Sequence, residues 1–121
     1  MRKKITIEDA KISDQQVQLH CGKNVVLNNA VAREQMLVDS DNLAFIYIIE
    51  ENEEYQYIEL TKCIWEELKV GLEQNLPVYL YGEGNLELTN FQDELKYLID
   101  NIEGNSNYGE EMVAEVERIF K

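Results

Sequence analysis

Apolar and polar residues alternate along the first part of the chain, and this period of two residues predicts strands with one buried face. Ile5 and Ile7 alternate with polar neighbours, and residues 17–21 repeat the pattern. Turn-forming residues at 20–24 then precede a short apolar run at 25–27. The order of elements therefore begins with two strands and a short third one.

The strongest strand signal in the chain is the apolar run at residues 43–50. It is apolar on both faces, which is typical of a central strand covered on both sides, or by helices on one side and a partner on the other. An acidic turn at 51–54 leads into an alternating strand at 55–60, so these two strands are predicted to form a hairpin. Before them, residues 36–38 are interpreted as a brief strand and 39–42 as a loop.

Apolar residues at helical spacing predict a first helix over residues 62–75. Thr61 is a suitable N-cap for it, and Pro77 stands just beyond its end. Two short alternating segments follow at 78–81 and 86–88, separated by glycine-rich residues. We therefore expect a second hairpin after the helix.

The last third of the chain predicts two helices joined by a polar loop. The first begins with a capping box in which Thr89 is the N-cap and Gln92 reaches back to it, and it ends before Gly104. Asn107 is predicted to cap the second, whose first turn places Glu110 at the positive end of the helix dipole.

These elements follow the order ββ(β)ββαββαα. Because neighbouring strands are joined by short turns, we expect a mainly antiparallel sheet of five to seven strands. The three helices are expected to pack on one face of it. The sequence thus predicts a single α+β domain over residues 1–121.

Composition and charge argue against several classes of partner and for a cytoplasmic location. The chain has 24 acidic and 11 basic residues, a formal net charge of −13, which argues against nucleic acid or anionic lipid as a partner. The acidic surface serves either solubility or attraction of a basic protein partner. No apolar run reaches the roughly 20 residues of a membrane span. The start is too brief and too acidic for a signal peptide, so we expect a cytoplasmic protein.

Catalytic and metal-binding patterns are absent from the sequence. Cys21, Cys63 and the one histidine, His20, have no paired zinc-site spacing. Cys63, near the start of a predicted helix, is either a reactive thiol or a small buried hydrophobe, and we expect the second. Asp39 and Asp41 copy two ligands of a calcium loop, but the glycine that such a loop needs is missing. We therefore predict no catalytic residue, metal or cofactor.

The loop from Gly104 to Gly109 has more polar groups than a simple helix connection needs. Asn105, Ser106, Asn107 and Tyr108 lie between its glycines. One interpretation is a capped turn with Tyr108 folded onto the core as a hydrophobic staple. The other is a polar recognition patch, since loops on rigid scaffolds often carry function.

Several motifs resemble those of the YjbL-like family, uncharacterised small acidic proteins of Firmicute bacteria. The resemblance covers most of residues 36–120. It is carried by Val38-Asp39-Ser40-Asp41-Asn42, Phe45-x-Tyr47, Leu88-Thr89-Asn90-Phe91, Asp100-Asn101-Ile102 and Gly104-Asn105-x-Asn107-Tyr108-Gly109-Glu110-Glu111. It implies a cytosolic bacterial protein, and it carries over no activity, cofactor or catalytic residue.

The sequence therefore favours a non-enzymatic module that binds a protein partner, with a homodimer left open. Its alternatives are a small-ligand or nucleotide-responsive sensor and an acidic nucleic-acid mimic. The candidate interaction residues are Asp39, Asp41, Asn105, Asn107 and Tyr108. A pocket with converging polar groups would favour the sensor, and a flat, partly apolar patch would favour protein binding.

Overall fold

The apolar run at residues 43–50 lies inside a four-stranded sheet, as its two apolar faces predict. A computed structural model describes residues 3–22 and 24–121 of the chain. The turn predicted at 20–24 includes Lys23, which lies outside the described residues.

The described residues form eight strands and three α-helices. These are β1 (Lys3–Ile7), β2 (Asp9–Ser13), β3 (Gln16–His20), β4 (Ala30–Asp39), β5 (Ala44–Glu51), β6 (Glu54–Thr61), α1 (Trp65–Gln74), β7 (Val78–Gly82), β8 (Gly84–Glu87), α2 (Phe91–Ile102) and α3 (Glu110–Phe120). Short 3-10 turns precede α1 and α3, at Lys62–Ile64 and Ser106–Tyr108.

The strands are divided between two mixed sheets, so the predicted α+β class is confirmed while the strand arrangement differs from a single antiparallel sheet. The first sheet has the order β1-β6-β5-β4, and the second has the order β2-β3-β7-β8. Strands joined by hairpins are antiparallel, but β1 is parallel to β6 and β3 is parallel to β7. The parallel pairs join strands far apart in sequence, which local turn patterns do not reveal.

At the second sheet one predicted strand is wrong and one observed strand was not predicted. The run at 25–27 is not a strand, because only Val26 forms a bridge, to Glu83. Conversely, β2 has a mostly exposed, weakly apolar sequence and gave no signal, yet it pairs along its whole length with β3.

A single hydrophobic core includes buried side chains of both sheets and all three helices. Phe45 on β5 packs against Trp65 of α1 and Phe120 of α3, at ring distances of 5.2 and 6.1 Å. Tyr47, on the same face of β5, stacks on Phe91 of α2. All three helices therefore lie on one side of the first sheet. We call this side its inner face and the opposite side its outer face.

Helix starts are the least accurate part of the sequence prediction. Neither Thr61 nor Thr89 makes a side-chain cap, and Asn90, with a φ of 61°, precedes α2 instead. The side chain of Gln92 does not reach back but donates to the carbonyl of Leu76, at 2.9 Å. The predicted capping box is wrong because the carbonyl of Leu76, just beyond the end of α1, lies within hydrogen-bonding reach of Gln92.

Two hairpins turn through pairs of residues that both have positive φ. Asp14 and Gln15 join β2 to β3 with φ of 54° and 59°, and Asn52 and Glu53 join β5 to β6 with φ of 51° and 66°. Two-residue turns with this geometry favour glycine in the second position, since a Cβ is crowded in the left-handed region. Gln15 and Glu53 therefore occupy strained positions.

Replacing Gln15 by glycine should raise the free energy of unfolding by about 0.5–1 kcal/mol, since the relief of left-handed strain exceeds the added freedom of the unfolded chain. Urea denaturation measures this change. Gln15→Ala is the matched control and should give no gain, because alanine keeps the Cβ. An equal gain from both variants would contradict the strain argument.

Burial and one hydrogen bond set the titration of Tyr47. Its ring is fully buried, its hydroxyl donates to the carbonyl of Thr89 at 2.7 Å, and burial raises the pKa of Tyr47 to about 12. A folded-state pKa above the unfolded value of about 10 means that this contribution is complete below pH 10. It is lost as the pH rises from 10 towards 12.

We therefore expect the free energy of unfolding of the native chain to fall more steeply over this alkaline range than that of Tyr47→Phe. Urea denaturation at a series of pH values checks the difference. Tyr97→Phe changes an exposed ring and should keep the native slope. A native slope in Tyr47→Phe would show that Tyr47 does not carry the effect.

Candidate functional site

The turn between β4 and β5 is held by its own side chains. Asp39 accepts two hydrogen bonds from Asn42, one from the backbone amide at 3.3 Å and one from the side-chain amide at 2.8 Å. The carbonyl of Ser40 accepts a further bond from the amide of Leu43. Asp39 therefore shapes the turn, which presents Asp41 to solvent.

The loop between α2 and α3 is held in a similar way by Asn105. Its side-chain oxygen accepts from the backbone amide of Asn107 at 3.1 Å, and its side-chain nitrogen donates to the carbonyl of Asn101 at 3.3 Å. The predicted cap at Asn107 is wrong, because Gly109 precedes α3 without a side-chain cap. Asn105 has a structural role that explains its presence in the loop.

Tyr108 packs half-buried against the hydrophobic core, as the capped-turn interpretation expects. Gly104 has the predicted left-handed conformation, with a φ of 67°. Its amide donates to a carboxylate oxygen of Glu117 at 2.8 Å, which ties the loop to α3.

The two loops meet at an open cleft of about 440 Å³. The cleft brings three of the five predicted interaction residues together: Asp41, Asn107 and Tyr108. The carboxylates of Glu110 and Glu111 also line it. The side chains of Asp39 and Asn105 instead make bonds within their own turns. Only part of the predicted set therefore faces a common space.

A second depression, of about 460 Å³, lies on the other side of the β4–β5 turn, against the outer face of the first sheet. Ser40 and Asp41 line both depressions, so the turn forms the wall between them. The floor of this second depression includes Leu37, Ile46 and Tyr57. These apolar residues were not among the predicted site residues, although the two apolar faces of the run at 43–50 were a signal for them.

We define the apolar patch as six outer-face residues. They are Val31, Leu37, Ile46, Ile48, Tyr55 and Tyr57. Strand register makes them neighbours, since Leu37 pairs with Ile46, and Ile48 with Tyr57. Val31, Leu37 and Tyr55 are 55%, 37% and 46% exposed, whereas Ile46 and Ile48 retain 4% and 7%. The centre of the patch is therefore almost fully buried, and its surrounding residues Val31, Leu37 and Tyr55 are open to solvent.

Within residues 3–22 and 24–121, two cations lie beside the apolar patch, and both are paired with carboxylates. Lys4 lies 3.2 Å from a carboxylate oxygen of Glu59, whose other oxygen accepts from the hydroxyl of Thr6 at 2.7 Å. Arg33 lies 3.5 Å from Glu50. The face thus has little positive charge to offer a partner.

The described residues show few arrangements of side chains suited to chemistry other than binding. Over residues 3–22 and 24–121, no three His, Cys, Asp or Glu side chains are grouped to hold a metal ion, and no helix is long and apolar enough to cross a membrane. Burial raises the pKa of the Cys21 thiol, which donates to the carbonyl of Tyr81. Cys63 is exposed, so its predicted burial is wrong.

Asn105→Ala removes both bonds that hold the α2–α3 loop and should lower the free energy of unfolding by about 1 kcal/mol. Urea denaturation measures this loss. Asn107→Ala is the matched control, since its bond to Asn105 uses the backbone amide; its effect should stay within about 0.5 kcal/mol. Equal losses would contradict the structural role assigned to Asn105.

The similarity of the chain to known proteins extends over nearly its whole length. No solved structure matches it. A UPF0738 protein of Bacillus licheniformis is 43% identical over 124 residues, covering 99% of both chains. The UPF0738 protein YjbL of Bacillus subtilis is 41% identical over 124 residues, again with 99% of both covered. The model of UPF0738, a family of unknown function, matches residues 5–120. The resemblance predicted from the sequence motifs is confirmed, and the chain belongs to the UPF0738 family.

Proposed function

We propose that this chain is a non-enzymatic, cytoplasmic protein-binding module whose contact surface is the apolar patch together with the β4–β5 turn. The observation that carries the proposal is the open outer face of the first sheet. Its inner face is covered by the three helices, whereas half of the patch residues remain substantially exposed.

Contiguity distinguishes this patch from ordinary exposed hydrophobic residues. Single exposed apolar side chains are normal on protein surfaces, but a connected apolar patch with a polar rim marks an interaction site. Here Leu37 and Ile46 are cross-strand neighbours, and Ile48 and Tyr57 form the adjacent pair. Covering the exposed members of the patch, Val31, Leu37 and Tyr55, would remove apolar surface from water at about 25 cal/mol per Å².

The β4–β5 turn supplies the polar rim. Asp41 borders the patch on one side and faces Asn107 and Tyr108 across the cleft on the other. A partner seated on the patch reaches Asp41 at its edge, where interfaces normally place hydrogen bonds. Of the predicted interaction residues, Asp41 then belongs to the rim, and the apolar patch is the centre.

The sensor alternative depends on the cleft, and its charge opposes it. Asp41, Glu110 and Glu111 line that space. Three carboxylates repel the phosphates of a nucleotide, since like charges disfavour binding. The nucleic-acid mimic is also disfavoured at the outer face, because Glu50 and Glu59 are paired there with cations.

Photocrosslinking tests the proposal. A benzophenone amino acid is placed at Val31, within the patch, and the purified protein is irradiated in bacterial cytosol. We expect a discrete crosslinked protein whose yield falls about tenfold in Leu37→Asp, because a carboxylate at the centre of an apolar contact costs at least 1.4 kcal/mol.

Tyr97→Asp is the matched control. It adds the same charge at an exposed position on α2, on the other side of the first sheet, and should leave the yield unchanged. Circular dichroism and thermal melting verify that both variants are folded. If Leu37→Asp leaves the crosslinking yield unchanged, or if the yield falls equally in both variants, the patch is ruled out as the binding surface.

A further inference from the structure

We infer that the partner presents a basic amphipathic helix, with apolar residues on the patch and Lys or Arg at both of its ends. This inference rests on the proposed function, and it adds the chemistry of the partner. The observation behind it is the distribution of carboxylates around the outer face.

Carboxylates lie at both ends of the apolar patch. At one end, Asp39 pairs with the first residue of β5, and the exposed Asp41 follows in the turn. At the other end, the exposed Glu53 lies at the tip of the β5–β6 hairpin. A segment that lies along β5 therefore meets negative charge at each end.

The cations described along the same face are paired with carboxylates. Lys4 contacts Glu59 and lies 4.0 Å from Asp39, and Arg33 contacts Glu50. The net charge of the whole chain is −13. An acidic partner would thus be repelled, whereas a basic partner is attracted from a distance.

The same charges disfavour a second copy of this chain on the patch. In a two-fold pairing, each end of one face meets either the same or the opposite end of the other. Asp41 occupies one end and Glu53 the other, so carboxylates oppose each other in both arrangements. Two chains of −13 also repel each other as a whole.

The distance between the two acidic ends sets the size of the segment. The eight residues of β5 span about 26 Å at about 3.3 Å per residue. A helix of that length has about 18 residues. Helices already pack on the inner face, and a helix on the outer face would complete a three-layer arrangement in which both apolar faces of β5 are covered.

The experiment uses a fluorescein-labelled peptide of about 18 residues, with leucines at helical spacing and lysines on the opposite side and at both ends. Fluorescence anisotropy measures its binding to the full chain at low and at physiological salt. One comparison peptide has glutamate in place of lysine. Another has the same composition, with leucines spread around the helix.

We expect the basic amphipathic peptide to bind, and Leu37→Asp to weaken it about tenfold. Attraction by net charge alone would give the opposite result, because Leu37→Asp makes the chain more acidic. Tyr97→Asp adds the same charge away from the patch and should not weaken binding. The two comparison peptides should bind much more weakly.

The acidic ends are tested by the double variant Asp41→Asn/Glu53→Gln. It should weaken the basic peptide several-fold and flatten its salt dependence. Glu73→Gln/Asp93→Asn removes the same charge from exposed positions on α1 and α2, and it should have a smaller effect.

Each contrary result has a distinct meaning. If Leu37→Asp abolishes crosslinking in cytosol but leaves peptide binding unchanged, or if the two double variants behave alike, the basic-helix inference is overturned and the protein-binding function stands. A Leu37-dependent crosslink of twice the chain mass also overturns it, in favour of a homodimer. If neither crosslinking nor peptide binding responds to Leu37→Asp, both proposals fail.

Discussion

Strand β5 has apolar side chains on both faces, and the rest of the structure is organised around this constraint. Phe45 and Tyr47 on its inner face receive aromatic side chains from α1, α2 and α3. Ile46 and Ile48 on its outer face are almost fully buried, whereas Val31, Leu37 and Tyr55 around them stay exposed. The helices fix the fold by covering the inner face. The outer face is left as the surface where apolar burial is still available, which connects the architecture of the sheet to the proposed binding role.

In the proposed function, charge placement makes that surface selective. An apolar patch without charged surroundings would attract any hydrophobic segment, including those of unfolded chains. Ion pairs neutralise the cations beside the patch, whereas carboxylates remain at its two ends. Electrostatic complementarity of this kind contributes more to the choice of partner and to the rate of encounter than to affinity. In the proposed function the acidic composition is more than a solubility device, because carboxylates at both ends align a basic segment along β5.

Several residues show why a sequence motif and a functional role differ. Asn105 and Asp39 stand in the two most recognisable motifs, and both use their side chains to hold a turn. Asp41 and Asn107, their neighbours, face the cleft. Sequence patterns identified the two loops correctly, since loop composition is a local property. They did not distinguish the residues that hold a turn from those that face the cleft, because that depends on which backbone amide each side chain reaches.

The sequence by itself determined the α+β class, the three helices, the hairpins at 43–60 and 78–88, and the strand with two apolar faces. These features arise from local periodicity and turn chemistry within about 20 residues. Tertiary structure alone decided the division into two sheets and the parallel pairing of β1 with β6 and of β3 with β7. It also decided that Gln92 donates a hydrogen bond to the carbonyl of Leu76. It also decided which face of β5 the helices cover. Each of these depends on contacts between segments distant in the chain, where loop-closure entropy and packing, not local preference, select the outcome.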